Sequence, residues 1–439
     1  VPKQQGISNG YLKPAEGIVS WGTGTGIDRG GINWNGVCYR VMGDDLVMVD
    51  AGGYVSSLGK VHGTGQVIFD YSFDYLAVMS GGKLFLYNGT TLAQITDPDL
   101  GIVIDFIWID GYFLTTDGVN LVVTELTNPF AVNPLKYGSS ETDPDPINAI
   151  VKIRNEAYVI NRHTIEVFDN VGGDFFPFGR VEGAQIQKGS LGTHCCCVFL
   201  DSVAFVGSGR NEQVAIYIAS SGNAVKISTR EIDLILAEFT ESQLANVVLE
   251  SRVYNGHEHL WIRLPDRTVV FDASASKELG EQVWFTLTSS LIGNDQYRAQ
   301  NLVYCYNKWL VGDPQSNNHG YLSDDDYRHW GELVGWDFGT IIVYNDGRGA
   351  IFKTLELMCL SGRAELGADP SVWTQYSLDG VEWSQEKSIK AGKQGHRAKR
   401  LVWFQCGTMQ NWRIQRFRGT SDSKLVIARL EAELEELLV

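Results

Sequence analysis

No run of about 18 uninterrupted apolar residues occurs in the 439-residue sequence, which excludes a helical membrane span. The opening VPKQQG lacks an apolar core, so no secretory leader is expected at this end. Cysteine is sparse and odd in number, seven in all, without framework spacing. A disulfide scaffold is therefore excluded, and reduced, buried thiols are expected. Basic charge is also short, 36 Lys and Arg against 52 Asp and Glu, or −16 net. That balance disfavours wrapping of nucleic acid or anionic lipid by the whole surface. What is abundant is glycine (48 residues), an 11% aromatic share and a 44% hydrophobic fraction. These point to many turns, flat half-buried strands and a sizeable core. Length alone suggests about three average domains, but all-β units of ~250 residues are common.

The scarce basic charge is concentrated. Residues 387–424 carry ten Lys or Arg against one acid, Asp422, a formal 10 − 1 = +9. The rest of the chain then holds −16 − 9 = −25. Such asymmetry marks a docking face, and Lys393, Arg397, Lys399, Arg400, Arg413, Arg416 and Arg418 are its candidates. A merely solvated basic face is the alternative.

An apolar run, a short polar turn and a second apolar run recur along the chain. First turns fall at Asn35-Gly36, Phe73-Asp74, Asp110-Gly111, Asn155-Glu156, Asp201-Ser202, Asn255-Gly256 and Asn307-Lys308. The steps between them are 38, 37, 45, 46, 54 and 52 residues. Asn-Gly and Asp-Gly favour type I′ turns because both central residues need positive φ. Each unit reads as a three- or four-stranded meander that cannot cover both of its apolar faces alone. Radial packing of six or seven such units solves that problem. The expected fold is all-β, a β-propeller of six or seven blades over 31–334 after an N-terminal extension, 1–30. A long β-sandwich is the alternative for the repeats.

Three insertions interrupt the period. Pro129, Pro134, Pro144 and Pro146 mark a loop near 129–146 rather than a strand. A second, aromatic-bearing insertion spans 170–190. The third, 228–248, is helical: Ser228 or Thr229 can cap it, and Ile232, Ile235, Leu236 and Phe239 share a face. Thr240 and Gln243 have capping-box spacing for a following short helix. From about 335 to 424 the strands belong to a separate β-sandwich-like docking domain. The chain should end in a short helix, 425–439, with Ile427, Leu430, Leu434 and Leu437 on one stripe. About fifteen residues make a helix marginal alone, so it should pack on its own chain or a partner.

Candidate chemical motifs are few. His257 and His259 share a strand face, but no third ligand is placed by sequence, so no metal is expected. Asp324-Asp325-Asp326 lacks the spacing of a calcium loop and reads as a solvated turn. Gly22 to Gly26 is glycine-rich without a following Lys-Ser/Thr, and reads as a flexible connection. Cys195-Cys196-Cys197 beside His194 lies in a pattern expected of an inner propeller strand, where cysteine acts as a small apolar residue. Ser377 to Trp383 resembles the hairpin box of sialidase-like propellers, with Asp379 and Gly380 turning the chain and Trp383 packing beneath. It occurs once, outside the repeats, and is one residue short. No catalytic residues and no cofactor are indicated.

Several segments together resemble the packaged-DNA stabilisation proteins, or tail hubs (nozzles), of short-tailed bacteriophages. They are Gly10-Tyr11-Leu12 with Gly17-Ile18, Thr164-Ile165-Glu166 with Phe168, and Gln187-Lys188-Gly189 with Gly192-Thr193 and Cys195. Asp201-Ser202, Ala204-Phe205 and Trp284 belong to the same set. Most specific is His257-Glu258 to Leu264-Pro265, followed by Val270-Phe271-Asp272-Ala273-Ser274. Similarity is strong over about 150–290 and weaker toward both ends. The insertion at 129–146 and the acidic extension after Arg429 depart from the pattern.

The resemblance implies a structural virion protein of the tail, assembled in the host cytoplasm. It implies a homo-hexamer below the portal and its head-tail adaptor ring, carrying spike, fibre or needle proteins. Such a ring closes the head after packaging and later conducts duplex DNA without binding it specifically. Six copies would carry 6 × −16 = −96 formal charges, so an acidic lumen would repel phosphates. No catalytic residue carries over from this family, and no stable membrane insertion is expected. Two other classes stay open: a carbohydrate-binding or glycoside-cleaving propeller, marked by paired carboxylates in a cleft, and a cellular interaction scaffold, marked by monomeric behaviour.

Overall fold

In the computed structural model, which describes residues 10–437 except 174, 221 and 345, the chain divides into two compact units. One comprises Trp21–Leu287 and Gln296–Tyr321. The other comprises the described part of 1–20, Thr288–Asp295 and the chain from Leu322 onward. The first nine residues of the expected N-terminal extension lie outside the described residues.

The first unit is made of antiparallel meanders whose turns are set by local chemistry. Asn35 and Gly36 have φ of 53° and 79°, and Asn255 and Gly256 have 50° and 78°, the double positive φ of a type I′ turn. Elsewhere the turn sits one residue earlier than expected. The pairs Phe199↔Ser202 and Cys305↔Lys308 place Leu200-Asp201 and Tyr306-Asn307 at the centres. All four have φ between 52° and 58°, so a two-residue connection forces even Leu and Tyr into the left-handed region. The pair Ile153↔Glu156 likewise moves the third displaced turn to Arg154-Asn155.

Seven sheets form this way among the described residues. Blade 1 orders Asp28–Trp34, Val37–Met42, Asp45–Val49 and Val55–Lys60 from inside outward. Blades 2 to 7 begin with inner strands Ile68–Tyr71, Asp105–Ile109, Ile147–Ile153, Cys196–Phe199, Val248–Tyr254 and Gln300–Cys305. Each inner strand lies against the next, and that of blade 7 against that of blade 1, which closes a seven-bladed ring. The outermost strand of blade 7 is Gly17–Thr23, the first strand among the described residues. Residues 17–30 are therefore blade strands and their connection rather than an extension. The connection through Gly22 to Gly26 is tied down, not flexible: Gly24 N–H donates to Asn317 O (2.7 Å) and Thr25 Oγ1 to Met42 O (2.8 Å).

Apolar side chains collect in layers between consecutive blades. Leu84 and Leu86 of blade 2 meet Phe106 and Phe113 of blade 3, all at most 2% exposed. Burying each such side chain contributes about 1.5–3 kcal/mol, so a blade is stable only with its neighbours. The segment 129–146 is not wholly a loop, because Asn128–Ser139 forms the outer strand of blade 3. Its ladder is broken by register shifts, and an outermost strand tolerates Pro129 and Pro134 because one side needs no N–H donors. The helical insertion forms as Arg230–Ala237, burying Ile232 and Leu236, and as Glu241–Leu244 with the complete Thr240/Gln243 capping box.

The second unit contains a sandwich of two sheets. One holds Gly335–Gly339, Trp412–Thr420, Ser371–Ser377 and Lys387–Lys390, with Val343–Tyr344 at its side. The other holds Leu401–Phe404, Ala350–Leu360 and Thr408–Met409. Between them, fully buried Phe417 lies against Phe338 and Trp403, with ring centres 5.3 and 5.6 Å away. The expected C-terminal helix is absent from the described residues: Val426–Glu436 is a strand along Ala350–Leu360, pairing Leu430 with Leu357 and Leu434 with Phe352. Leu430, Ala432 and Leu434 alternate with Glu431, Glu433 and Glu435, which is a period of two. The 11-residue strand Ala350–Leu360 offers this segment a ladder of backbone partners that an isolated short helix lacks.

Candidate functional site

The basic segment folds into the sandwich, and its candidates meet different fates. Along Trp412–Thr420 the odd positions 413, 415, 417 and 419 point inward. Arg413 is thus 1% exposed, its guanidinium 4.0 and 3.9 Å from the centres of the Phe352 and Tyr376 rings. Its Nε and Nη2 donate to Gln415 Oε1 at 3.0 and 2.5 Å. Burial lowers its pKa to about 10, which still leaves it charged at neutral pH. Arg413 is a core cation and cannot dock anything.

Three other arginines are matched by acids distant in sequence. Arg418 Nε and Nη2 reach Glu386 Oε1 and Oε2, each at 2.5 Å. Arg416 pairs with Asp337, with Nε 3.1 Å from Oδ2, and Arg400 with Glu356, with Nε 2.6 Å from Oε1. These acids fall outside 387–424, so the local formal charge drops from +9 to 9 − 3 = +6. Strand pairing brings Asp337 in, since Gly335–Gly339 runs beside Trp412–Thr420.

Lys393, Arg397 and Lys399 remain exposed on the loop from 391 to 400 and make no ion pair among the described residues. The loop is held in place. Ser361 Oγ donates to Lys399 O at 2.9 Å, and Gly395 N–H to Gly362 O at 3.0 Å. Gly362 has φ of 74°, and a Cβ there would stand 2.6 Å from the carbonyl carbon of His396. A side chain at 362 would push the loop off its seat. Three cations thus project from a seated loop, a geometry suited to an acidic surface. Elsewhere in this unit, Ile341 (88% exposed) and Leu366 (90%) are apolar and solvent-facing, which the reading of the sequence missed. The doublet Ile341-Ile342, breaking the alternation of IIVY, was the available signal.

In the propeller, carboxylates on inner strands clamp one blade to the next. Asp70 accepts from Trp108 N–H of blade 3 at 2.5 Å, Asp105 from Ile150 N–H of blade 4 at 2.7 Å, and Glu250 from Leu302 N–H of blade 7 at 2.6 Å. Between blades 1 and 7, buried Asp28 pairs with Arg40 (3.3 Å) and accepts from Asn301 Nδ2 (2.6 Å). Burial pushes Asp105 up to about 7 and Asp28 to about 6, with Arg40 opposing the latter. A cavity of about 680 Å³ in this unit is lined by residues of blades 2, 5, 6 and 7 and of the connections between blades, His194, Arg263 and Gln66 among them. Burial holds His194 down to about 4, so it is neutral. No Asp or Glu lines the cavity among the described residues, so it does not supply the two carboxylates of glycoside hydrolysis.

The remaining motifs are structural. Cys196–Phe199 is the inner strand of blade 5, and burial raises all three neighbouring thiols, Cys195 to about 12. A thiol so raised supplies no thiolate at neutral pH. Asp379 turns its hairpin by accepting from Val381 and Glu382 N–H at 2.9 and 2.8 Å. Trp383 does not pack beneath that turn; it is 37% exposed, with Arg416 over its ring at 5.7 Å. Asp326 Oδ1 accepts from Arg328 N–H, as a turn residue does.

The tail hub protein gp10 of Salmonella phage P22 is 27% identical over 99% of this chain and 93% of its own length. Among solved structures, PorZ of Porphyromonas gingivalis covers 87% of this chain at 9% identity and a TM-score of 0.42, with 46% of its own length matched. The Neurospora crassa Pan2 WD40 domain covers 73% at 10% identity and 0.42, with 98% of its length matched. Likeness at that level says nothing about function. Residues 1–327 match the family described as bacteriophage P22 Gp10, beta-propeller, and residues 335–435 its beta-sandwich, so the chain belongs to the P22 Gp10 family.

Proposed function

We propose that this chain is the tail hub of a bacteriophage virion, a structural component without catalytic duty. Six copies form a ring below the head-tail adaptor, close the portal after packaging and shape the path of DNA ejection. The observation that carries this reading is the match to the P22 tail hub across both domains and 99% of the chain. The clamped blades support it, because a wall that must withstand DNA pressure benefits from inter-blade hydrogen bonds in a low-dielectric core. A hexamer would hold 6 × −16 = −96 formal charges, which disfavours adhesion of passing duplex DNA. Spike, fibre or needle proteins would attach to the outer surfaces of the ring.

The seated loop with Lys393, Arg397 and Lys399 docks an acidic neighbour, with Arg400, Arg416 and Arg418 as paired support. Filled heads lacking their tail are mixed with this chain, treated with nuclease and sedimented. Protection of the genome and co-sedimentation of the chain are expected. Leakage equal to the untreated heads, with the chain left free, refutes the hub role. The triple change Lys393→Glu, Arg397→Glu and Lys399→Glu should abolish co-sedimentation while the circular dichroism spectrum stays unchanged. Undiminished docking by a folded triple variant would remove this loop from the interface.

A further inference from the structure

Blade 6 brings together three side chains that the hub role does not use. His257 and His259 lie two residues apart in the strand His257–Arg263, so both project from one face. The neighbouring strand Thr268–Asp272 runs antiparallel, and its register sets Asp272 directly opposite His259. His257 Nδ1 is 2.7 Å and His259 Nε2 3.5 Å from the same oxygen, Asp272 Oδ2. One donor atom from each residue lies within 4.8 Å of the other two. The three side chains are 15%, 11% and 9% exposed, respectively.

The surroundings hold this trio in position. Asp272 Oδ1 accepts from Ala275 N–H at 2.9 Å, capping the helix Ala273–Leu279, so Oδ2 is aimed at the two imidazoles. Glu258 N–H donates to Ser274 Oγ at 3.0 Å, which pins the start of the histidine strand to that helix. The Phe285 ring meets His259 edge-on at 5.6 Å and supplies an apolar wall. One carboxylate oxygen shared by two imidazoles is a poor end state. His259 Nε2, at 3.5 Å from Asp272 Oδ2, stands at the far limit of a hydrogen bond, so that imidazole is only loosely engaged. A cation between the three donors would use both imidazoles at once.

We propose that His257, His259 and Asp272 bind one divalent transition-metal ion of the zinc type. Two imidazoles and a carboxylate are a donor set that suits Zn²⁺, with a fourth, open position for water. Tetrahedral bonds of about 2.0–2.1 Å place ligand atoms roughly 3.3 Å apart. The His259–Asp272 separation of 3.5 Å is already close to that. His257 must open from 2.7 Å by roughly 0.6 Å. It sits at the hairpin end beside Asn255-Gly256, where a side-chain rotation suffices. The proton in the His257–Asp272 hydrogen bond leaves to solvent as the ion enters. The bound ion would tie the hairpin to the strand and helix beyond it, as a staple on one blade. The site is a property of the propeller and stands apart from the tail-hub reading.

The full-length, tag-free chain is stripped with EDTA and titrated with Co²⁺ as an optical probe, then with Zn²⁺. A visible d–d band saturating at one equivalent, its displacement by Zn²⁺ and a Zn²⁺-dependent rise in Tm are expected. His257→Gln and His259→Gln should each abolish the band. His257→Gln lies at a hairpin end and should leave the far-ultraviolet spectrum unchanged, so loss of the band in it is not loss of fold. No saturable band in the wild type, or an equal band in folded His257→Gln, overturns the assignment.

Discussion

Replacing Asp105 by Asn tests whether the inter-blade clamps carry the pH dependence of the ring. The carboxylate is 5% exposed and accepts from Ile150 N–H at 2.7 Å and Phe106 N–H at 2.8 Å. Burial outweighs those two bonds and raises its pKa from 3.8 to about 7. A raised folded-state value means that the native chain holds a proton the unfolded chain has released. Its contribution to stability is therefore full below about pH 4 and is lost as pH rises through about 7. At about 1.4 kcal/mol per pKa unit the whole window spans on the order of 4 kcal/mol, and about 3 of these lie between pH 5 and pH 8. Asparagine does not titrate, but its amide N–H₂ faces a backbone N–H and leaves one bond unmade, about 1–3 kcal/mol. Urea unfolding followed by tryptophan fluorescence should show Asp105→Asn weaker than wild type at pH 5. It should then gain about 3 kcal/mol relative to wild type by pH 8. Asp28, raised to about 6, is common to both proteins and cancels in the difference. Parallel pH dependence in the two proteins would refute the reasoning.

Two further changes probe the units separately. Thr240→Ala removes the capping box of Glu241–Leu244 and should lower stability by about 1 kcal/mol, read from the same urea curves. Phe417→Ala empties the sandwich centre between Phe338 and Trp403, for about 3–5 kcal/mol, and limited proteolysis should then cut after residue 335 before it touches the blades. Proteolysis starting in the blades would show that the two units do not unfold independently.

The propeller was legible because its signal is local and repeated. Seven turn-flanked apolar runs became seven first hairpins, and the capping box at Thr240 and Gln243 formed as its spacing requires. What was missed depends on partners remote in sequence. The stripe Ile427, Leu430, Leu434 and Leu437 fits a helix, yet a free strand edge at Ala350–Leu360 selected the competing period of two. Arg413, Arg416 and Arg418 look alike as a charge run, while strand alternation buries the first and remote acids meet the other two. His257 and His259 were visible as a pair, but Asp272 became their neighbour only through the register of two strands.

The join between first and last blades has a consequence for timing. Asp28 of blade 1 and Asn301 of blade 7 are 273 residues apart in the chain. At about 5–20 residues per second of synthesis, the first blade waits roughly 15–55 s for the strand that completes the circle. Until then one flank of the nascent blade has no permanent neighbour, and its apolar layer is open to aggregation or chaperone capture. Ribosome stalling before residue 300 should therefore leave an arc that is protease-sensitive as a whole, and release past it should convert all seven blades together. A propeller of this kind closes only after about 300 residues have been made, which makes translation itself a checkpoint on its supply.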